Sequence, residues 1–164
     1  RLAQQPQVLA EQEGPPPGAA LRTVRLYFGA QGRVELSPEE RVIVDPGTAE
    51  DLAISVVREV LRGPVEGVSG LPQSTKVRAF YLTPDGTGYL DLSSDLLDRW
   101  PRGDGLEWVS IGSLIRSIAE NVPAVRAVQI LFDGHVVEVP PGSIPLDLPL
   151  DPALFGAQSP ELLR

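Results

Sequence analysis

Residues Ser117–Gly134 read SIAENVPAVRAVQILFDG. Up to Asn121 the spacing is helical, and Pro123 cannot continue a helix because its nitrogen carries no proton. Ala127–Phe132 is a short, mostly apolar run, the pattern of a buried strand. Asp133-Gly134 is turn chemistry, since both residues tolerate left-handed backbone. The stretch therefore predicts the end of a helix, a break, a buried strand and a tight turn. It contains no obvious reactive group.

Working outward, Leu106–Asn121 is predicted as the second main helix, with Val109, Leu114, Ile118 and Ile111 or Ile115 on its core side. Upstream, Lys76–Leu82 and Thr87–Leu92 form a hairpin around Pro84-Asp85-Gly86. Ser93 or Ser94 caps a short helix running through Trp100, and Pro101–Gly105 is a loop. The first main helix starts at Thr48, with Asp51 three residues on in a capping-box-like pair and acids suited to the positive helix start. Leu52, Val56 and Val60 form its apolar stripe, flanked by Ala53, Val57 and Leu61. Gly63-Pro64 stops it. Thr23–Phe28 alternates as a strand, Gly29–Gly32 breaks it, and Val34–Leu36 and Arg41–Val44 read as two short strands around Ser37–Glu40. Val136–Val139 is a short return strand. Helices separated by hairpins predict an α+β fold. Its mostly antiparallel sheet carries two main helices on one face, as an α-β-β-α-β core preceded by an N-terminal strand. The expected organisation is a flexible Pro-rich linker over 1–22, a domain over 23–139 and a Pro-rich C-terminal extension over 140–164.

The chain has 164 residues, 42% of them hydrophobic, enough for one domain with a real core. Its 17 prolines and 16 glycines cluster at Gly14–Gly18 and Pro140–Pro152, which suggests irregular ends around a folded middle. Net charge is −8 and the isoelectric point about 4.6, so phosphate backbones and anionic lipid surfaces are repelled and nucleic acid is not an expected partner. Of 14 basic residues only Lys76 is lysine, a skew that fits a GC-rich or heat-adapted source. No cysteine is present, which excludes disulfides and thiolate chemistry. Methionine is absent even at position 1, so the chain is expected to be part of a longer product, with any signal or anchor upstream of Arg1.

Four blocks resemble the GerMN domain family. They are the opening strand Val24–Phe28, the helix end Leu61-Arg62-Gly63-Pro64, the block Tyr89-Leu90-Asp91-Leu92-Ser93-Ser94-Asp95-Leu96-Leu97, and Val128–Gly134. No block is specific alone; their order and spacing over about Thr23–Pro152 carry the resemblance. The chain departs from the family in having Ser113 and Ser117 where glutamine and threonine are frequent, and Arg116 in place of a polar or aromatic residue. The resemblance implies a domain outside the cytoplasm of a bacterium, tethered to a membrane, that serves sporulation or germination by binding other envelope proteins. On this reading the protein is not an enzyme and needs no cofactor or metal.

Several other groups carry the residue types of known chemistry. Asp91-x-Ser93-x-Asp95 has the spacing of some loop cation sites, but no glycine-bearing calcium loop follows, and helix capping is the plainer account. Asp95, Asp98, Asp104 and Glu107 are acids around one helix and loop, where solvated carboxylates are ordinary. His135, the single histidine, follows a turn and lacks a nucleophile elbow. Gly29–Gly32 lacks the lysine and helix of a phosphate loop. Trp100, Trp108, Tyr81 and Tyr89 suit a core more than a sugar-stacking platform, with Trp100, before Pro101, expected to be the most exposed. The candidate binding surface is accordingly Trp100, Asp95, Asp98 and His135. Arg41–Val44 or Val136–Val139 is expected to offer a sheet edge for a partner strand. The alternative function is peptidoglycan or glycan binding.

Overall fold

The computed structural model describes residues 16–103 and 105–156. Most of the predicted linker (1–15), Asp104 and the end of the predicted extension (157–164) lie outside the described residues.

Strands β1 (Leu21–Gly29) and β2 (Leu36–Val44) form a two-stranded antiparallel sheet. β1 opens at Leu21, two residues before its predicted start, because Leu21 and Arg22 pair with Val44 and Ile43. Of the two short strands predicted around Ser37–Glu40, Arg41–Val44 is the end of one continuous strand of nine residues, and of Val34–Leu36 only Leu36 belongs to it. Pro38 does not interrupt it, for a reason visible in the register. The Asp45 amide donates to the Ala20 carbonyl at 2.9 Å, and the pairs Arg22↔Ile43, Val24↔Arg41 and Leu26↔Glu39 continue that phase. Backbone groups of an antiparallel strand alternate in direction. Those of Glu39, Arg41 and Ile43 therefore face β1, and those of Pro38, Glu40, Val42 and Val44 face away. A proline whose nitrogen points off the sheet loses no ladder bond.

Helix α1 (Ala49–Arg62) begins as its sequence predicts: the Thr48 hydroxyl accepts from the Asp51 amide at 3.2 Å. Leu52, Ala53, Val56, Val57, Val60 and Leu61 are all buried. The helix ends at Gly63, whose φ of 90° and ψ of 169° lie where only glycine is at ease.

The second sheet runs in the order β3 (Val77–Leu82), β4 (Thr87–Leu92), β5 (Ala127–Phe132), β6 (His135–Val136). β4 and β5 pair in parallel and the other neighbours antiparallel. A parallel pair needs a long crossover, and it is supplied by α2 (Asp95–Asp98) and α3 (Leu106–Asn121). The fold is α+β, mostly antiparallel, with the strands divided between two sheets. α2 stops at Asp98, short of the predicted Trp100, and Ser94 makes no side-chain cap. Ser93 instead accepts from the Lys76 amide at 2.8 Å, tying the end of β4 to the start of β3. The predicted return strand Val136–Val139 is reduced to His135–Val136. Its turn is tight: Asp133 and Gly134 have φ of 49° and 79°. Asp91 holds it by accepting from the Gly134 amide at 2.8 Å.

The core joins Val24, Leu26 and Phe28 of β1 to both long helices and to Leu90, Leu92, Val128 and Ile130 of the second sheet. The segment 140–156 folds back onto it. Leu146, Leu150 and Phe155 are buried, Leu150 exchanges two backbone hydrogen bonds with Val128, and Pro152–Phe155 closes as a 3-10 turn.

Candidate interaction surface

The two edges of the β1–β2 sheet are treated in opposite ways. β1's outward groups at Arg25 and Gly29, and the outward amide of Tyr27, are satisfied. Asn121 of α3 accepts from the Arg25 amide at 3.0 Å and donates to the Arg25 carbonyl at 2.8 Å. Ser117, one helical turn earlier, accepts from the Tyr27 amide at 2.9 Å. Gly29 exchanges hydrogen bonds with Val68, at 3.0 and 2.8 Å. Two polar side chains on the apolar face of α3 thus stand in for a neighbouring strand. They are buried, as are Ser110 and Ser113 on the same helix. Ser113 turns back to the Val109 carbonyl and Ser110 accepts from the Gly70 amide, so each hydroxyl is accounted for locally.

β2's outward groups, at Glu40, Val42 and Val44, have no hydrogen-bond partner among the described residues. Val42 is 64% exposed, and Val44 and Leu21, which pair in register, are also exposed. A groove of about 570 Å³ runs beside the strand between Pro38–Arg41 and the loop Val65–Gly67. Exposed Val65 forms part of its wall and Glu39, Glu40 and Glu66 supply acids. Arg41, which also lines the groove, fixes β2 in place. Its guanidinium pairs with Glu39 and Glu59, donates to the Glu59 and Gly63 carbonyls, and lies over the Phe28 ring at 5.3 Å. The strand is therefore held rigidly by one face and one edge while the other edge stays open.

The Germane family model, described as sporulation and spore germination, matches residues 25–138. The chain belongs to the Germane family. The Germane fold recurs in three solved structures. A candidate lipoprotein from Clostridium perfringens is 22% identical, with 82% of this chain and 89% of that one covered and a TM-score of 0.56. The tandem GerMN domains of the Bacillus subtilis sporulation protein GerM are 16% identical, with 91% and 50% covered and a TM-score of 0.64. The first GerMN domain of that protein is 18% identical, with 79% and 97% covered and a TM-score of 0.53. Among curated proteins none matches the chain.

Within the Germane domain the residues singled out from sequence separate. Trp100, expected to be the most exposed aromatic, is 5% exposed and stands edge-on to Phe132 at 6.4 Å. Trp100 stands four residues after Leu96, and both are buried. Asp95 is half-buried and 3.5 Å from the Ser93 hydroxyl; Asp98 and His135 are exposed. No hydrogen bond joins Asp95, Asp98 and His135 among the described residues. Asp91 is occupied by Gly134 and by Arg78 at 3.3 Å, and Glu107 accepts from the Ser143 and Ile144 amides. Trp108 donates to the Leu154 carbonyl and packs on Phe155. Tyr81 and Tyr89 pair across β3 and β4, with Tyr81 57% exposed. Among the described residues no group of three or more histidines or acids is arranged to hold a metal ion, and no helix is long and apolar enough to cross a membrane. Sequence reasoning missed the strand-capping role of Asn121. The signal was a polar residue two positions before Pro123 on the helix's buried side.

Proposed function

We propose that this Germane domain is a non-catalytic interaction module of the bacterial envelope, outside the cytoplasm and tethered upstream, that binds envelope proteins by accepting an extended segment at β2. The open β2 edge carries this reading. Unpaired backbone groups are a template for a further strand, and flanking side-chain pockets select its sequence. Val42, Val44 and Leu21 offer apolar contact, and the acids of the adjoining groove favour a partner with basic residues near its apolar ones. The family's description in sporulation and germination supports the setting, as does fold likeness to a candidate lipoprotein and to GerM. Arg41–Val44 offers a longer edge than the two-residue β6.

A second reading, glycan binding, draws on the exposed Tyr81 beside Tyr89, since adjacent aromatic faces suit sugar rings.

The test is a pull-down from bacterial envelope extract with the wild-type domain and the variant Val42→Pro. The Val42 amide points off the sheet, so proline removes a docking group without breaking the β1 ladder. Captured partners should bind the variant about tenfold more weakly, the scale of one or two lost main-chain bonds. Partners retained at wild-type strength would remove the edge reading. Sedimentation with purified peptidoglycan that depends on Tyr81 and not on Val42 would favour the glycan reading instead.

A further inference from the structure

A second hollow, of about 580 Å³, lies between the C-terminal half of α1 and the residues leading into β3. Arg58, Arg62, Thr75 and Lys76 line it, and no carboxylate does. In a chain with 22 acids against 14 bases, three cations meeting in one place is a local reversal of the overall charge. The sequence alone gives no hint of it, because Lys76 is 14 residues beyond Arg62.

Arg58 and Arg62 are four apart on α1 and so project from one side of the helix. Like charges at that spacing repel each other, and Lys76 adds to the repulsion. Arg62 is relieved in part by Glu59 at 3.5 Å. Arg58 and Lys76 have no ion-pair partner among the described residues. Thr75 is 4% exposed, and its hydroxyl makes no hydrogen bond. A buried hydroxyl without a partner is unusual and marks a donor in reserve. The negative end of the α1 dipole is partly offset here. Arg41 takes the Glu59 and Gly63 carbonyls, and the Gly63 amide takes that of Val60.

We propose that the hollow bounded by Arg58, Arg62, Thr75 and Lys76 binds a phosphate monoester. The uncompensated charge, from Arg58 and Lys76, matches a group carrying about −1.5 to −2 at neutral pH and three acceptor oxygens. A carboxylate or a phosphodiester neutralises only one of the two. Guanidinium forks and an ammonium provide the usual mixture of directed and point-charge contacts to phosphate. Distant acids do little against it, because salt screens them beyond about 8 Å at physiological ionic strength. The site is separate from the β2 edge and does not depend on that reading.

The folded domain is titrated with inorganic phosphate in low salt at pH 7.5, with amide chemical shifts as the readout. Saturable shifts are expected around residues 58–62 and 73–77. The exposed-site variants Arg58→Gln and Lys76→Gln should each weaken binding about fivefold, the scale of one partly screened charge pair. Arg126→Gln, a cation elsewhere, should not. Thr75→Val should weaken binding with no loss of thermal stability, since the hydroxyl has no partner to lose. Acetate at equal ionic strength should bind more weakly than phosphate. Absence of saturable shifts, or equal weakening by Arg126→Gln, would overturn the proposal. If the site holds, sedimentation with phosphatidic acid vesicles assigns it to a lipid headgroup, and competition by glycerol 3-phosphate without sedimentation assigns it to a soluble ester.

Discussion

Asn121 uses its amide completely: Oδ1 accepts from the Arg25 amide, and Nδ2 donates to the Arg25 and Ser117 carbonyls, at 2.8 and 2.7 Å. It therefore joins the last turn of α3 to the middle of β1. Truncation leaves the Arg25 amide and carbonyl facing a helix rather than water. Each buried backbone group left without a partner costs about 1–3 kcal/mol. Asn121→Ala is expected to lower stability by about 2–4 kcal/mol in urea unfolding. A change under about 0.5 kcal/mol, the size of an ordinary surface substitution, would mean that water replaces the amide. Arg116, five residues earlier, lies over the Tyr27 ring at 3.9 Å, so α3 grips β1 by charge and aromatic face as well.

At the scale of elements, the β3–β4 hairpin turns on Asp85. Its carboxylate accepts from the Thr83 hydroxyl and from the Thr87 amide at 3.2 Å. The Thr83 hydroxyl first, and the Thr87 amide second, hold its pKa below the ordinary 3.8. A depressed pKa means that the turn's contribution is present above 3.8 and is lost as pH falls through the folded-state value. Proton titration by NMR should place Asp85 below 3.8, and Thr83→Val should return it toward that value. An unshifted Asp85 in the wild type would show that the hydroxyl does not donate to it in solution. This turn, α1, α3 and β5 were legible in the sequence because each is written in local terms: caps, period and turn residues. β2 was not read as one strand, because a proline inside a strand pattern normally ends it. Only the sheet register shows which way Pro38 points. The burial of Trp100 is not legible in the Trp-Pro pair that suggests exposure, since it depends on Phe132 of β5 lying across from it. The covering of β1 by Asn121 and Ser117 is not legible in the sequence, because it depends on α3 lying alongside.

At the scale of the whole molecule, the proline-rich segment after Val139 is tied to the domain by Glu107, which accepts from the Ser143 and Ile144 amides at 3.1 and 2.6 Å. Leu146, Leu150 and Phe155 then add buried surface to α3 and β5. Their spacing matches neither a helix nor a strand, so periodicity gave no sign of them. Glu107→Ala is expected to cost about 1–2 kcal/mol, the lower range for charged hydrogen bonds because the site is partly solvated. Hydrogen exchange should speed up over 140–156 and stay unchanged in β1 and β2. Uniform acceleration across the domain would show that the segment and the core open together. The β1–β2 sheet has a larger consequence for assembly. With Asn121, Ser117 and Val68 on the β1 flank from Arg25 to Gly29, the sheet has a valence of one over that length. A strand added at β2 ends the growth of that sheet on that side of the molecule unless the newcomer brings an open edge of its own. Two copies of this chain meeting edge to edge through β2 would close into a pair whose flanks are covered from Arg25 to Gly29, where a sheet open on both sides would propagate into a fibre.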